Sequence, residues 1–174
     1  MSKTDGQDSQ LVDFLAKFTA SEQFNEVFAE GMGLVEETAN YLDGPGRLDA
    51  RALDRQGSIT YATESMRLTT RLMQLASWLL LQRAISSGEL SREAAIEEKK
   101  RINLSEAGPG HALPGAASIP EALKDLIARS LHVHARIMQL DKMIGDKTAP
   151  AAATDNPVAS QMNRLTRAFG TRRG

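Results

Sequence analysis

The sequence predicts an all-α protein, an antiparallel three-helix bundle with disordered N- and C-terminal tails. Three long segments carry apolar residues at spacings of three and four, which is the period of an amphipathic helix. Breaks rich in glycine and proline separate these segments, and no alternation of apolar and polar residues is long enough for a strand. Because short connections join neighbouring helices in opposite directions, the pattern favours a bundle over residues 20–145.

The composition limits the range of functions. The chain has 174 residues and no cysteine, which fits one domain plus a tail and excludes disulfides and thiolate chemistry. Residues 1–10 are polar, so we expect no secretory signal. The net charge of −1 gives no overall attraction to nucleic acid or membranes. From Lys147 onward, five basic residues against one acidic residue give the tail a charge of +4, which leaves −5 for the rest.

The first long helix is predicted from about residue 20 to residue 42. Its apolar stripe comprises Phe24, Val27, Phe28, Gly31, Val35, Thr38 and Leu42. The sequence Asp-Gly-Pro-Gly at residues 43–46 should end the helix. Before it, residues 1–19 are predicted as a flexible segment, in which the helical spacing of apolar residues over 11–18 favours a short helix or docking segment.

The face of this helix opposite the apolar stripe is acidic. It carries Glu22, Glu26, Glu30 and Glu37, and residues 22–43 contain six acidic residues and no basic one. A solvated surface is the simpler explanation of this pattern, and a docking surface for a basic partner is the alternative. The sequence leaves both interpretations open.

The second helix is predicted from about residue 58 to residue 87, or from residue 49 if Gly57 lies inside it. Between residues 72 and 85, apolar side chains point in nearly all directions, and a helix that is apolar all round must be buried all round. Two neighbouring helices leave one side uncovered, so the pattern predicts a homodimer with Leu72, Leu75 and Leu79 in the interface.

A polar stripe also runs along the second helix, at steps of three or four. We predict that it forms a partner-binding surface with Glu64, Arg67, Arg71 and Trp78 as its main residues, because arginine and tryptophan dominate desolvated interfaces. In the alternative interpretation, the two arginines pair with the acidic residues of the first helix inside the bundle.

A short charged helix over about 91–101, a loop over 105–117 and a third long helix ending at about residue 144 complete the predicted bundle, with Gly145 as the stop. Residues 146–174 are predicted to be a disordered tail. A short amphipathic segment within this tail is predicted to bind partners through Met162, Arg164, Leu165 and Phe169. Chance patterning in a disordered tail is the alternative.

No group of residues has the spacing of a catalytic, cofactor or metal site. His132 and His134 are two residues apart on a predicted helix and therefore point in different directions, and His111 lies in a loop without an acidic partner at ligand spacing. No glycine-rich loop follows a strand. We therefore expect no enzymatic activity, no cofactor and no bound metal.

Two segments carry a resemblance to a known family. The run YATESMRLTTRLMQLASWLLLQRA at residues 61–84 and the run GLVEETANYLDGPGR at residues 33–47 resemble the regulator of CtrA degradation (RcdA) family. The resemblance implies a dimeric three-helix-bundle adaptor of alphaproteobacteria with a flexible C-terminal tail. It also implies a cytoplasmic location, with the cell pole as one place of action.

The resemblance implies partners as well. Members of the family work with the ClpXP protease, which a response-regulator-like protein, CpdR, primes. They bring cell-cycle regulators to the protease, directly or through a further adaptor that senses cyclic di-GMP. The expected function is a non-enzymatic protease adaptor without nucleic-acid or membrane partners.

A nucleic-acid-binding protein, or another dimeric helical regulator, is the alternative. The basic tail together with Arg67 and Arg71 supports nucleic-acid binding. The acidic body, and the lack of helix-turn-helix spacing and of stacking aromatic residues, argue against it.

Overall fold

The computed structural model describes residues 4–148, and this part of the chain contains helices and no strand, so the all-α prediction is confirmed. The helices are α1 (Thr4–Thr19), α2 (Glu22–Asp43), α3 (Pro45–Arg51), α4 (Arg55–Ser86), α5 (Arg92–Lys100), a 3-10 helix (Ala116–Ser118) and α6 (Glu121–Thr148). The chain divides into two compact units, residues 1–141 and 142–174. Of the second unit, only the last turns of α6 are described.

Helix α2 follows the predicted bounds closely. Its N-cap is Ser21, whose hydroxyl oxygen accepts a hydrogen bond from the backbone N–H of Phe24 at 3.2 Å. The helix ends at Asp43, as the Asp-Gly-Pro-Gly sequence predicts. Gly31 is buried against α4, where a Cβ atom would lie only 2.8 Å from Leu79 Cδ1. A glycine at this position therefore allows α2 and α4 to approach each other closely.

The second predicted helix, from about residue 58 to residue 87, corresponds to α4, which ends at Ser86. Pro45 begins the short helix α3, and α4 begins at Arg55, three residues before the predicted start at residue 58. Asp54 is the N-cap of α4, since its Oδ1 accepts a hydrogen bond from the backbone N–H of Gly57 at 2.7 Å. The extended alternative, one helix from residue 49, is wrong because this cap starts a new helix.

Helix α1 occupies residues for which the sequence predicted a flexible segment with a short helix over 11–18. The structure extends that helix to Thr4–Thr19 and packs it on α2 and α4, with Leu15 only 3% exposed. The division of the chain at residues 19 and 145 stays a prediction.

Helix α6 begins directly after Pro120 and continues past Gly145 to Thr148, so the predicted stop at Gly145 is wrong. A single glycine costs a helix about 1 kcal/mol relative to alanine, which does not by itself end it. Within residues 1–141, the largest fully buried side chains come from α2, α4 and α6. They are Trp78, Phe24, Leu34, Leu68, Leu75, Leu79, Leu123, Ile137, Leu140, Val27 and Val133.

Candidate interaction surfaces

Arg71 lies in the interior of the chain, with 4% of its surface exposed. Its Nε donates a hydrogen bond to the carbonyl of Ala107 at 2.7 Å, and its Nη1 donates to Ser130 Oγ at 2.9 Å. Its Nη2 lies 3.4 Å from the carbonyl of Gly108. Arg71 therefore connects α4 to α6 and to the loop that precedes α6, and it is not accessible to a partner.

The acceptors around Arg71 are neutral, which is unusual for a buried cation. Burial lowers the pKa of Arg71, and attraction to Glu64 partly offsets this effect. The guanidinium stays charged at neutral pH, because the ordinary pKa of arginine lies far above neutrality. The predicted partner surface thus loses Arg71. The alternative, pairing with the acidic residues of the first helix, is also wrong for this residue.

Trp78 is the second member of the predicted surface that the structure buries, with 1% exposure. Its indole Nε1 donates a hydrogen bond to Asp141 Oδ1 on α6 at 2.8 Å. Its ring lies 6.5 Å from the ring of Phe24 on α2, measured between centroids. The only tryptophan of the chain therefore joins α2, α4 and α6, and no partner reaches it in this conformation.

Glu64 and Arg67 remain partly accessible on α4. Arg67 Nη1 donates hydrogen bonds to Glu64 Oε1 and to the carbonyl of His111, both at 2.9 Å. A groove of about 480 Å³ lies beside this pair, between α4 and the loop at 106–110. Arg67 lines this groove and about a third of its side chain is exposed, whereas Glu64 does not line it, so Arg67 is the residue of this pair that a partner could contact most readily.

The loop of residues 102–115 has a backbone held by side chains from α4 and α6. Besides Arg71 and Arg67, His134 Nε2 lies 2.7 Å from the carbonyl of Leu104, and Gln74 Oε1 accepts from the backbone N–H of Asn103 at 2.8 Å. These contacts fix an irregular segment that has few backbone hydrogen bonds of its own. The sequence predicted the loop but gave no signal for this attachment.

The acidic face of α2 is largely paired within the chain. Arg129 donates to both carboxylate oxygens of Glu37 at 2.9 and 2.8 Å, and Arg136 Nη1 donates to Glu30 at 2.9 Å. Arg136 Nη2 also reaches Glu26, at 3.5 Å. The hydrogen bonds from Arg129 lower the pKa of Glu37. Three of the four glutamates therefore pair with arginines of α6, which leaves Glu22 exposed and weakens the case for a docking surface.

Leu72, Leu75 and Leu79, the predicted dimer-interface residues, are all buried within the monomer. They point towards the core, so they are not available to a second subunit. The apolar residues that α4 does expose are Ile59, Met66, Met73 and Leu80, each seven residues after the last. We call these four residues the exposed strip.

The exposed strip lies on an uncharged face of α4. From residue 59 to residue 80, every exposed position of α4 is uncharged, and Met66 and Met73 are 72% and 64% exposed. A groove of about 350 Å³ lies on the side towards α2, lined by Val35, Ala39 and Leu42 among others. A groove of about 440 Å³ lies on the side towards α5. Two grooves therefore flank a ridge of large apolar side chains, and the seven-residue recurrence in the sequence could have revealed it.

Other chemistry-bearing residues do not converge. Within residues 4–148, no three histidine, aspartate or glutamate side chains are grouped as metal ligands. His132 is exposed, whereas His134 is buried against the loop carbonyl. None of the helices in this range is long and apolar enough to span a membrane. Met162, Arg164, Leu165 and Phe169 lie outside the described residues.

Comparison with known proteins finds a family model and a solved structure that are similar to this chain. A family model described as a protein of unknown function, DUF1465, matches residues 15–169. The crystal structure of RcdA from Caulobacter crescentus CB15 is similar, with 46% sequence identity and a TM-score of 0.58. The similarity covers 74% of this chain and 96% of that one. No curated protein sequence matches the chain.

Proposed function

The chain belongs to the RcdA family, and on that premise we propose that it is a non-enzymatic adaptor that links cell-cycle regulator substrates to the ClpXP protease for regulated degradation. Its partners would be the protease with a CpdR-like primer, and a cargo protein or a further adaptor. An adaptor needs binding surfaces and no reaction centre, because it acts by raising the local concentration of substrate at the protease. The proposed place of action is the cytoplasm, including the cell pole.

The exposed strip is the structural observation that supports a binding function best. Isolated exposed apolar residues are ordinary, but a continuous apolar face marks an interaction site. The strip spans 22 residues of α4, or about 32 Å from its first to its last residue at 1.5 Å per residue. Methionine at two of its four positions suits a surface that must adapt to another protein.

We assign the strip to a homodimer, in place of the buried leucines. The uncharged face of α4 reads nearly the same in both directions about the midpoint between Thr69 and Thr70. Reversal about this point pairs Ile59 with Leu80 and Met66 with Met73. A two-fold axis there would thus place similar side chains opposite each other in an antiparallel pair of α4 helices, as an isologous interface requires.

The remaining predicted sites fit this proposal as partner surfaces. Arg67, with the groove beside it, offers donors to a partner, and the two copies in a dimer would present this site twice. Residues 158–169 are proposed as a further binding segment. We also propose that α2, α4 and α6 form the antiparallel three-helix bundle that carries these surfaces.

A reconstituted degradation assay tests the adaptor function. The assay contains an alphaproteobacterial ClpXP, its CpdR-like primer and CtrA as the test substrate, with or without this chain. We expect the chain to shorten the half-life of CtrA several-fold and only when the primer is present. An unchanged half-life, together with no binding of the chain to the primed protease, would contradict the proposal.

A further inference from the structure

Residues 9–19 of helix α1 contact the other helices through one apolar stripe. Leu15 is buried, and Leu11, Phe14 and Phe18 are half-buried on the same side of the helix. The side chains of residues 9–19 form no hydrogen bond or ion pair with α2–α6. This part of α1 therefore depends on apolar packing, whereas α6 is connected to α2 and α4 by several hydrogen bonds and ion pairs.

The surface beneath α1 is aromatic. The ring of Phe18 lies 5.3 Å from that of Phe24 on α2, and Phe24 in turn packs on Trp78 of α4. Phe28 continues the row along α2, at 6.1 Å from Phe24. Because Phe18 packs on the fully buried Phe24, departure of α1 would uncover the ring of Phe24 and open a groove between α2 and α4 beside Trp78.

Helix α1 can leave this groove without unwinding α2. Ser21 caps α2 with its own side chain, so the backbone N–H of Phe24 does not need α1 for its acceptor, although the same hydroxyl also donates to the carbonyl of Phe18 on α1. The two helices are joined by only two residues, 20 and 21. With 16 residues, including Gly6, α1 is also marginal as an isolated helix, so its folding and its docking are coupled.

We propose that this groove is a docking site for an amphipathic helix of a partner protein, and that α1 is its occupant in the free chain. The partner helix carries large apolar or aromatic residues at positions i, i+3, i+4 and i+7. This is the spacing of Leu11, Phe14, Leu15 and Phe18, and it is the usual pattern of a helix bound in a groove. The proposal rests on the proposed function only in that an adaptor has protein partners.

The tether makes α1 a strong competitor for its own groove. A segment joined by two residues acts at an effective concentration in the millimolar range. A partner helix therefore binds only when its affinity exceeds that of α1 by a wide margin, or when α1 is held elsewhere. This would keep the aromatic surface covered until a specific partner arrives.

A peptide-binding experiment on the full chain tests the proposal. The variant Leu15→Glu places a charge under α1 and should release it, and Val12→Glu on the exposed side of α1 is the matched control. The probe is a fluorescein-labelled peptide with the sequence of residues 4–19. We expect Leu15→Glu to bind this peptide at least tenfold more tightly than the wild type or the control does. Emission of Trp78 should shift to longer wavelength in the variant and return when peptide is added.

Two outcomes would overturn the proposal. One is a folded Leu15→Glu variant that binds the peptide no better than the control; the other is loss of the whole fold in this variant, which would make α1 an integral part of the core. Hydrogen exchange on the wild-type chain provides a second measurement. We expect amides of α1 to exchange at least tenfold faster than those of α4, and equal rates would also contradict the proposal. Failure of the degradation assay with peptide binding intact would reject the adaptor function alone.

Discussion

Helix α4 has one face that buries large polar groups and another face that exposes large apolar side chains. The face that carries Arg71 and Trp78 with their polar groups is buried, while the face with Met66 and Met73 is exposed. The polar groups of Arg71 and Trp78 have partners: Arg71 has two carbonyls and a hydroxyl, and Trp78 has a carboxylate. The comparison shows that a helix can bury long polar side chains when neighbouring elements supply acceptors, and can leave apolar ones for another protein.

Among the substitutions considered, Arg71→Glu should cause the largest loss of stability. The substitution buries an unpaired carboxylate and leaves the carbonyls of Ala107 and Gly108 without their donor, so we expect a loss of about 3–5 kcal/mol in the free energy of unfolding. Urea unfolding followed by circular dichroism measures it. If Arg71 instead belonged to a partner-binding surface, as the sequence predicts, the substitution would leave stability nearly unchanged and would weaken partner binding.

Arg55→Glu is the matched control for the buried arginine. Arg55 is exposed in the first turn of α4, where a negative charge interacts favourably with the helix dipole. We expect a change within about 0.5 kcal/mol. If Arg55 and Arg71 gave equal losses, the buried position of Arg71 would not explain its effect.

The second largest effect should come from substitutions in the exposed strip, which should weaken dimerisation. Met66→Glu and Met73→Glu together would place four carboxylates around the proposed two-fold axis. We expect a dimer-to-monomer shift in sedimentation, with dimerisation weakened at least a hundredfold and the helical content unchanged. Leu48→Glu, a change to an exposed residue on α3 outside the strip, should leave the dimer intact. A wild-type chain that sediments as a monomer at micromolar concentration would remove the dimer.

These two faces also mark the limit of what the sequence could predict. Some helix ends were readable from glycine, proline or serine, as at Asp43 and at Ser91, whose hydroxyl caps α5, but Gly145 does not end α6. The extended alternative for the second helix ran across the break before Asp54, because the connection between α3 and α4 contains neither glycine nor proline. The orientation of α4 was not readable, since arginine and tryptophan suit either a buried network or an interface, and only the positions of Ser130, Asp141 and the loop decide between them.

Trp78→Phe, also on the buried face of α4, should reduce stability less than Arg71→Glu does. Phenylalanine keeps most of the ring packing but removes the indole N–H, which leaves Asp141 without this donor. We expect a loss of about 1–2 kcal/mol in the free energy of unfolding, from one hydrogen bond to a charged group and some lost volume. A double-mutant cycle with Asp141→Asn measures the coupling. Additive losses would show that the hydrogen bond contributes nothing beyond the packing of the ring.

The smallest effect should come from the ion pair between Glu37 and Arg129, which shows what a polar contact contributes when it is not buried. Both side chains are largely exposed, so Glu37→Gln should cost less than about 1 kcal/mol at neutral pH.

The hydrogen bonds from Arg129 lower the pKa of Glu37 below its ordinary value of 4.5. A group whose pKa is lower in the folded state adds stability above its unfolded pKa, and that stability is lost as the pH falls through the folded pKa. The difference in unfolding free energy between wild type and Glu37→Gln should therefore be constant from pH 7 to about pH 5 and vanish at lower pH. Raising the salt concentration at pH 7 should also reduce it, because exposed charges are screened. Glu37→Gln could instead cost more unfolding free energy than Trp78→Phe does, or its cost could persist in strong acid. Either result would show that burial does not explain why the polar contacts of α4 contribute more than those at the surface.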